Sequence, residues 1–233
     1  MLIQRLKYSF KIAGATGIFV TLGYALANKV AYLKILRGMT LETSHIAMPF
    51  SAVPADYQAR MLPAEKMQPW SERPEYNLSQ SFLELAGSKG DRCLAIFHGE
   101  QLAAYGWYSD QPTRFSKRYH LTFDNRWMYM YRGYTHPDFR GQRLHAHGMA
   151  EAARQFTDAG YLGLISYVEA NNFASLRSCQ RLGYRTFGSI YVFELGQRFS
   201  RVFQTASCSS YGFGLIPSKD LPALNISSTV MAA

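Results

Sequence analysis

The strongest candidate for chemistry in the sequence is a turn that combines proline, glycine and two arginines. The segment from His136 to Leu144 reads His-Pro-Asp-Phe-Arg-Gly-Gln-Arg-Leu, and Arg140 and Arg143 stand where a helix is predicted to begin. Gly141 allows a backbone turn that other residues adopt only with strain. The first amides of a helix lack partners within the helix and attract anions, and guanidinium groups strengthen that attraction. The residue types suit a phosphate site, but the spacing alone favours an ordinary turn whose arginines face solvent.

The elements that would position this turn follow from the periodicity of apolar residues. The predicted helices are residues 78–85, 142–159 and 173–182. The predicted strands are residues 44–48, 92–98, 102–108, 120–123, 127–134, 162–168, 184–187 and 190–195. Residues 127–168 form a strand, a helix and a strand, and such a unit requires a right-handed crossover between parallel strands. We therefore expect a mixed α/β fold with a βαβ unit.

Two segments of this region resemble the cofactor-binding motifs of the GNAT superfamily, the acyl-CoA-dependent N-acyltransferases. Pro137, Arg140 and Gly141 match its Pro-x-x-Arg-Gly turn. Asn172 and Ser175, followed by residues 182–184, are similar to its Asn-x-x-Ser and Leu-Gly-Phe elements. The resemblance covers about residues 90–195 and, more loosely, the chain from residue 41. It implies a GNAT-like central mixed sheet with flanking helices and a βαβ unit that binds acetyl-CoA or another acyl-CoA.

The same resemblance implies a set of residues that contact acyl-CoA. These are Tyr134, Thr135, His136, Arg140, Gly141, Gln142, Arg143, Leu144, His145, Asn172 and Ser175. Two members depart from the family pattern, because Arg143 and His145 stand where the family has small residues that let the pyrophosphate approach the backbone. Arg143 would offer its own charge instead. A shifted register, with Ala146 and Gly148 as the small residues, would abandon the Pro-x-x-Arg-Gly match.

By likeness to the family, the acyl group passes directly to an amine, and three catalytic candidates emerge. A backbone amide near Tyr134 or Thr135 would polarise the thioester carbonyl. Glu169 ends a predicted strand and is the carboxylate nearest in sequence to the expected cleft, which makes it the first candidate for the base. Asp124, His136 and His145 are the alternatives. A substrate amine of lowered pKa would need only water. Cys179 stands where the family has its tyrosine acid; it either protonates the CoA thiolate or is a small core residue on an apolar stripe.

Composition narrows the class of protein. Of the 233 residues, 48% are hydrophobic and 18% are charged, which is typical of a globular domain. The 3 cysteines form neither a disulfide framework nor a zinc-binding pattern, so we expect no metal and a reducing setting. The net charge is +9, but the basic residues do not cluster around a known nucleic-acid module. We therefore expect no nucleic-acid partner.

Most of the positive charge lies in the first part of the chain. Residues 1–41 contain Arg5, Lys7, Lys11, Lys29, Lys34 and Arg37 and no acidic residue, and residues 12–28 carry no charge at all. A signal peptide with a cleavage site at residues 25–27, a helix in or across a membrane face, and a helix packed on the domain are three interpretations. Basic residues suit contact with anionic lipid, whereas export would separate the domain from a cytosolic acyl donor.

These observations divide the chain into three predicted parts. They are a basic, apolar helical arm over residues 1–40, an acyltransferase domain over residues 41–199 and a loosely ordered tail over residues 200–233. The predicted function is transfer of an acetyl or other acyl group from acyl-CoA to a primary amine of a small acceptor. A long-chain transferase that uses acyl carrier protein, and a non-catalytic acyl-CoA-binding protein, are the alternatives. The predicted location is cytoplasmic, with peripheral contact at the cytosolic membrane face.

Overall fold

Helices and strands follow one another in the order expected of a mixed α/β protein. The computed structural model describes residues 2–196 and 199–220. The helices are α1 (Leu2–Val30), α2 (Gln80–Ser88), α3 (Leu144–Asp158) and α4 (Phe173–Leu182). The strands are β1 (Tyr32–Leu41), β2 (Gln58–Pro63), β3 (Arg92–His98), β4 (Gln101–Ser109), β5 (Thr113–Arg114), β6 (Tyr119–Thr122), β7 (Met128–Thr135), β8 (Leu164–Glu169), β9 (Arg185–Leu195), β10 (Phe199–Gln204) and β11 (Gly214–Pro217).

Eight strands form one mixed sheet in the order β10-β9-β1-β8-β7-β4-β3-β2. Its neighbouring strands run antiparallel except β7 and β8, which are parallel and joined through α3. The predicted mixed α/β fold with a βαβ unit is therefore confirmed. A small sheet, β11-β6-β5, packs on one face through a cluster that contains Leu121, Leu36 and Ile190. Helix α3 packs on the opposite face, where Phe156 and Met39 share a core cluster.

Strand β1 corrects the predicted extent of the N-terminal helical arm. The helix ends at Val30 instead of continuing to residue 40, and Tyr32–Leu41 pairs with β8 on one side and β9 on the other. Leu36 and Met39 are completely buried. Lys34 and Arg37 interrupt the apolar pattern of this segment, which is why its sequence did not indicate an interior strand. The predicted boundary at residue 40 thus cuts through the central sheet.

The predicted loose tail is ordered as far as residue 220. The strands expected over residues 184–187 and 190–195 are one strand, β9, which pairs with β10, and β11 pairs with β6. Cys208 and Phe213 are completely buried between these strands. Core contacts therefore order a segment whose Ser- and Gly-rich composition suggested none. Residues 221–233 of the predicted tail lie outside the described residues. Where a strand was expected over residues 44–48, two short 3-10 turns occur.

Helix α1 is attached to β1 by specific polar contacts. The backbone N–H of Ile35 donates to the Tyr24 hydroxyl over 2.9 Å, and the Asn28 side chain bonds both to the N–H and to the carbonyl of Leu33. The helix is kinked at Gly14, whose φ is 59°. Among the described residues, no helix combines the length and the apolar character needed to span a membrane.

Candidate active site

A gap opens in the sheet where β7 and β8 diverge. The two strands pair at Met128 with Leu164 and at Tyr129 with Ile165, near their beginnings. A register shift against β4 then leaves Tyr131 as an extra residue in β7. Because a bulge bends the strand that contains it, β7 follows β4 from there onward, and its other edge has no neighbouring strand among the described residues. A parallel sheet that opens in this way creates a cleft between the two strand ends.

The gap leads into a cavity of about 800 Å³, which we call the chamber. Its walls come from β7, β8, α3 and α4, and from α1 and β1 on the remaining side. The chamber brings together five residues proposed from the sequence, namely His145, Glu169, Asn172, Ser175 and Cys179. Sequence reasoning missed the contribution of the N-terminal helix, whose Thr21, Tyr24 and Asn28 also line the chamber.

A second cavity of about 700 Å³ adjoins the chamber and contains concentrated positive charge. Its basic lining residues are Lys11, Arg143, Arg177 and Arg181. None of the described residues that line it is acidic, and we call it the cationic cavity. His145, Ala174 and Ser178 line both cavities, which makes the two spaces adjoining. Several guanidinium groups lining a cavity with no acidic residue among its described lining favour a ligand with several phosphate oxygens.

The start of α3 leaves its amides open toward an anion. Gly141 has a φ of 87°, and Arg143, the N-cap residue, has a φ of 58° in the left-handed region. The Arg143 side chain makes no capping hydrogen bond, whereas Ser79 caps α2 and Asn172 caps α4. The first-turn amides of α3 therefore lack the side-chain acceptor that the other two helices have, and this favours an anionic ligand.

His145 occupies the junction of the two cavities. Its imidazole lies directly above Gly133 of β7, so that a Cβ built on that glycine would be 2.1 Å from Cε1. Glycine is thus required at position 133 as long as the ring stays in place. Burial lowers the pKa of His145 to about 4, and the ring is neutral at neutral pH. Position 145, where the family has a small residue, therefore holds a larger but uncharged imidazole in this chain.

The buried imidazole predicts a specific pH dependence of stability. The folded-state pKa of His145 lies below the ordinary value, so between pH 6.5 and 4 the unfolded chain binds a proton that the folded chain does not. The free energy of unfolding should therefore fall by about 2 kcal/mol between pH 7 and pH 5 through this group. Denaturant unfolding of the native chain and of His145→Asn at both pH values measures it. An equal pH dependence in both proteins would contradict the assignment.

Glu169 forms an ion pair inside the chamber. Its carboxylate accepts a hydrogen bond from the Lys34 ammonium, and both side chains are partly exposed. Leu36 of β1 is the register partner of Glu169 at the end of β8, which brings Lys34 within reach of the carboxylate. The two residues are 135 positions apart in the chain, and sequence reasoning missed Lys34. The pair holds a carboxylate oxygen in place beside the gap.

Cys179 faces the chamber but is enclosed by core residues. Burial raises the pKa of its thiol to about 11, and the residue belongs to the cluster that contains Leu182 and Tyr184. A thiol with a raised pKa is a weaker proton donor to a thiolate, whose ordinary pKa is about 8.5. We therefore expect Cys179 to act as a packing residue.

Replacing Cys179 by alanine should lower stability without abolishing turnover. Loss of the buried sulfur should cost about 1 kcal/mol of unfolding free energy. Cys208→Ala is a matched control, because that residue is also buried but lies in a different cluster and away from the chamber. Both variants should keep kcat within about threefold and lower the melting temperature. A hundredfold fall in the kcat of Cys179→Ala at an unchanged melting temperature would identify the thiol as the acid.

The backbone of β7 discriminates between the two amides proposed from the sequence. The N–H of His136 donates to the Ala103 carbonyl on β4 over 2.9 Å. Successive amides of a strand point to opposite edges, so the N–H of Thr135 faces the gap and that of Tyr134 faces β4. The Thr135 carbonyl accordingly accepts from Arg140 Nε over 3.3 Å. Thr135 is therefore the better candidate for a carbonyl-polarising amide.

Several residues proposed from the sequence line neither cavity. The Tyr134 ring stacks on Tyr105, and its hydroxyl donates to the Glu75 carbonyl. Three others make hydrogen bonds that support the turn. The His136 ring accepts one from the Asp138 amide, and Arg140 donates one to the Thr135 carbonyl. The amide oxygen of Gln142 accepts one from the Tyr57 hydroxyl. Leu144 is buried in the core. These residues build the turn between β7 and α3 and do not project into the two cavities.

Arg177 and Arg181 are the most informative residues that sequence reasoning missed. They are four positions apart on α4 and so lie on one face of the helix, together with Ser178 and Ala174. This spacing was visible in the sequence, but nothing there placed that face beside the start of α3. Within the described residues, no group of three or more His, Cys, Asp or Glu side chains is arranged to hold a metal ion.

Sequence comparison places these motifs within a known family. Residues 56–184, more than half of the chain, match the family model described as acetyltransferase (GNAT) family. The matched region begins just before β2 and ends just after α4, and it therefore contains β7 and β8, the two strands that border the gap. No curated protein sequence matches the chain significantly.

Solved structures of similar fold carry related descriptions. An acetyltransferase of the GNAT family from Colwellia psychrerythraea is 14% identical to this chain, with a TM-score of 0.51. The match covers 75% of this chain and 62% of the Colwellia chain. A GCN5-related N-acetyltransferase from Kribbella flavida is 16% identical, with coverages of 75% and 63% and a TM-score of 0.49. The chain thus spans less than two thirds of the length of these proteins. At such identities, the likeness to the Colwellia protein shows a shared fold.

Proposed function

Because the chain belongs to the GNAT acetyltransferase family, we propose that it transfers an acyl group from acyl-CoA to the primary amine of a small molecule. The observation that carries the proposal is the junction of the cationic cavity with the chamber at His145 and Ser178. One space offers guanidinium groups for the phosphates of the donor. The other offers a carboxylate and unpaired strand amides at the place where a thioester would react.

The proposed donor site combines charge with backbone hydrogen bonding. Arg143, Arg177 and Arg181 would bind phosphate oxygens together with the open amides at the start of α3. The neutral His145 ring would lie beside the pantetheine arm, which is uncharged. The unpaired edge of β7 would bind the amides of that arm as an additional strand does. Arg140 and Gln142 would maintain the turn without contacting the donor.

The proposed reaction is direct attack of the amine on the thioester carbonyl. A C–N bond forms as the C–S bond breaks, and the CoA thiolate leaves with the electron pair. Glu169 would take the proton lost by the amine, and Lys34 would keep its carboxylate oriented toward the gap. The Thr135 amide would donate to the carbonyl oxygen as negative charge develops there. Water would protonate the thiolate, because the raised pKa of Cys179 makes its thiol a poor donor.

Two alternatives rest on specific features of the same site. Delivery of a longer acyl chain by the acidic acyl carrier protein would suit the basic surface, and the chamber of about 800 Å³ would then hold that chain together with the acceptor. The second alternative is a protein that binds acyl-CoA without turnover, because His145 and Cys179 replace the family's small residue and tyrosine. Both alternatives keep the fold and differ in the donor or in the chemistry.

A donor screen tests the proposal against both alternatives. Acetyl-CoA, a long-chain acyl-CoA and a long-chain acyl carrier protein are added separately to the native chain, and the melting temperature is recorded. Release of free thiol is then followed with a panel of amino acids, amino sugars and polyamines. We expect an acyl-CoA to raise the melting temperature and at least one amine to release CoA. Stabilisation by acyl carrier protein alone, or binding without thiol release, would replace the proposal by the corresponding alternative.

A further inference from the structure

Helix α1 exposes large apolar side chains on its outer side, which is unusual for a surface helix in water. Phe19, Leu26 and Val30 are 67% to 74% exposed, and Leu22 is 43% exposed. The side turned toward the protein carries Gly17, Thr21, Tyr24 and Asn28 instead. A helix packed on a domain in water normally buries its larger apolar side chains and exposes its polar ones. The outer side of α1, defined by its four exposed apolar residues, is therefore an apolar surface without a partner in the described structure.

A second exposed apolar surface lies on strands β9 and β10. Its large side chains are Tyr191, Phe193, Leu195, Phe199 and Phe203, all 38% to 62% exposed. Strand register pairs Phe203 with Tyr191 and Phe199 with Leu195, so these side chains project from one face of the sheet. We call this the aromatic face.

The two surfaces are neighbours in the fold. Strand β9 pairs with β1, and β1 is the strand to which α1 is attached through Tyr24 and Asn28. In that pairing, Leu33 is opposite Phe193 and Ile35 is opposite Tyr191. The residues of β1 that bond to α1 therefore lie directly opposite residues of the aromatic face. The C-terminal half of the helix and the two strands therefore form one continuous region of the molecule.

Basic residues predominate among the charges of the elements that form this region. Lys29 lies between Leu26 and Val30 of α1, and Arg201 lies within the aromatic face, its guanidinium carbon 4.9 Å from the centre of the Phe199 ring. In the described α1, β1, β9 and β10, Glu194 is the one acidic residue, and strand alternation directs it to the opposite face of β9. A partner for this region must therefore be apolar and must tolerate or attract positive charge.

We propose that the outer side of α1 and the aromatic face together dock on an anionic lipid bilayer, with α1 lying in the interface. Exposed aromatic and aliphatic side chains bury at the boundary between headgroups and acyl chains, and basic residues bind the anionic headgroups. A second copy of the chain would bring an equally basic surface against this one.

Co-sedimentation of the full chain with vesicles tests this proposal. The vesicles are phosphatidylcholine alone and an equal mixture of phosphatidylcholine and phosphatidylglycerol, each at low and at high salt. We expect binding to the mixed vesicles at low salt, at least about fivefold weaker binding to phosphatidylcholine alone, and partial release at high salt. Binding that is equal for both lipids and insensitive to salt would overturn the electrostatic part of the proposal, and no binding to either would overturn it completely.

Paired substitutions locate the docking surface. Phe19→Ser with Leu26→Ser, and separately Phe199→Ser with Phe203→Ser, should each reduce vesicle binding about tenfold or more. Lys29→Gln with Arg201→Gln should reduce binding to the mixed vesicles about tenfold and flatten the salt dependence. Met48→Ser with Leu85→Ser is the matched control, because both side chains are exposed and apolar but lie outside the two surfaces.

Further measurements keep the result interpretable. Circular dichroism and the melting temperature identify variants that fail to fold; single substitutions at Phe19 and Phe203 then replace the pairs, with about threefold losses expected. Sedimentation velocity without lipid detects self-association. A concentration-dependent dimer that the α1 and aromatic-face variants abolish, with no vesicle binding by the native chain, would assign the region to a second copy and overturn the lipid proposal.

Discussion

Glu169→Gln is expected to lower kcat by about 100-fold or more, with the affinity for acyl-CoA changed by less than about threefold. The carboxylate lines the chamber beside the gap between β7 and β8 and is oriented by Lys34. Glutamine keeps the size and the hydrogen-bonding oxygen of the side chain but cannot accept the proton of an ammonium. The steady-state rate of thiol release measures kcat, and isothermal calorimetry with a non-reactive acyl-CoA thioether measures donor affinity.

Two further variants make the Glu169 result specific. Glu84→Gln, on the exposed side of α2, controls for the loss of one negative charge and should leave kcat unchanged. Lys34→Met should give an intermediate fall in kcat, because it frees the carboxylate without removing it. The proposed role as base is wrong if Glu169→Gln retains kcat within about threefold of the native value across the pH range in which the fold is intact.

Arg177→Ala combined with Arg181→Ala is expected to weaken acyl-CoA binding by about 100-fold or more. Each guanidinium lines the cationic cavity on one face of α4, next to Arg143. A hydrogen bond to a charged group contributes about 1.5–3 kcal/mol, so the loss of two should exceed a factor of ten for each. The amine chemistry occurs in the chamber, and kcat at saturating donor should therefore stay within about threefold. Calorimetric titration with acetyl-CoA measures the affinity.

The phosphate-free donor S-acetylpantetheine distinguishes a phosphate contact from general damage. The double variant and the native chain should bind that donor equally, since neither arginine would then have a phosphate partner. Arg185→Ala, at the exposed start of β9, is the matched arginine control. Arg140→Ala should weaken acyl-CoA binding less than either α4 substitution, because Arg140 binds the Thr135 carbonyl and lines neither cavity. Unchanged acetyl-CoA affinity in the double variant would show that the donor phosphates do not bind in the cationic cavity.

The sequence alone was sufficient for the family, for the βαβ unit and for the turn between β7 and α3. Pro137, Arg140 and Gly141 lie in one turn, and the apolar runs before and after it have the spacing of a strand and a helix. Asn172 could likewise be recognised as the cap of α4, because a cap acts on amides three residues away. These features depend on interactions between residues only a few positions apart, so the spacing of residue types in the sequence is enough to predict them.

Tertiary structure alone decided which of these residues meet. It paired Lys34 with Glu169, left Arg140 outside both cavities while Arg177 and Arg181 line the cationic cavity, and placed the His145 ring above Gly133. It also made residues 32–41 an interior strand, although basic residues interrupt the apolar pattern of that segment. Each of these outcomes depends on strand register and helix packing between segments far apart in the chain. Such contacts are selected by burial of the whole core, and no local pattern of residues specifies them.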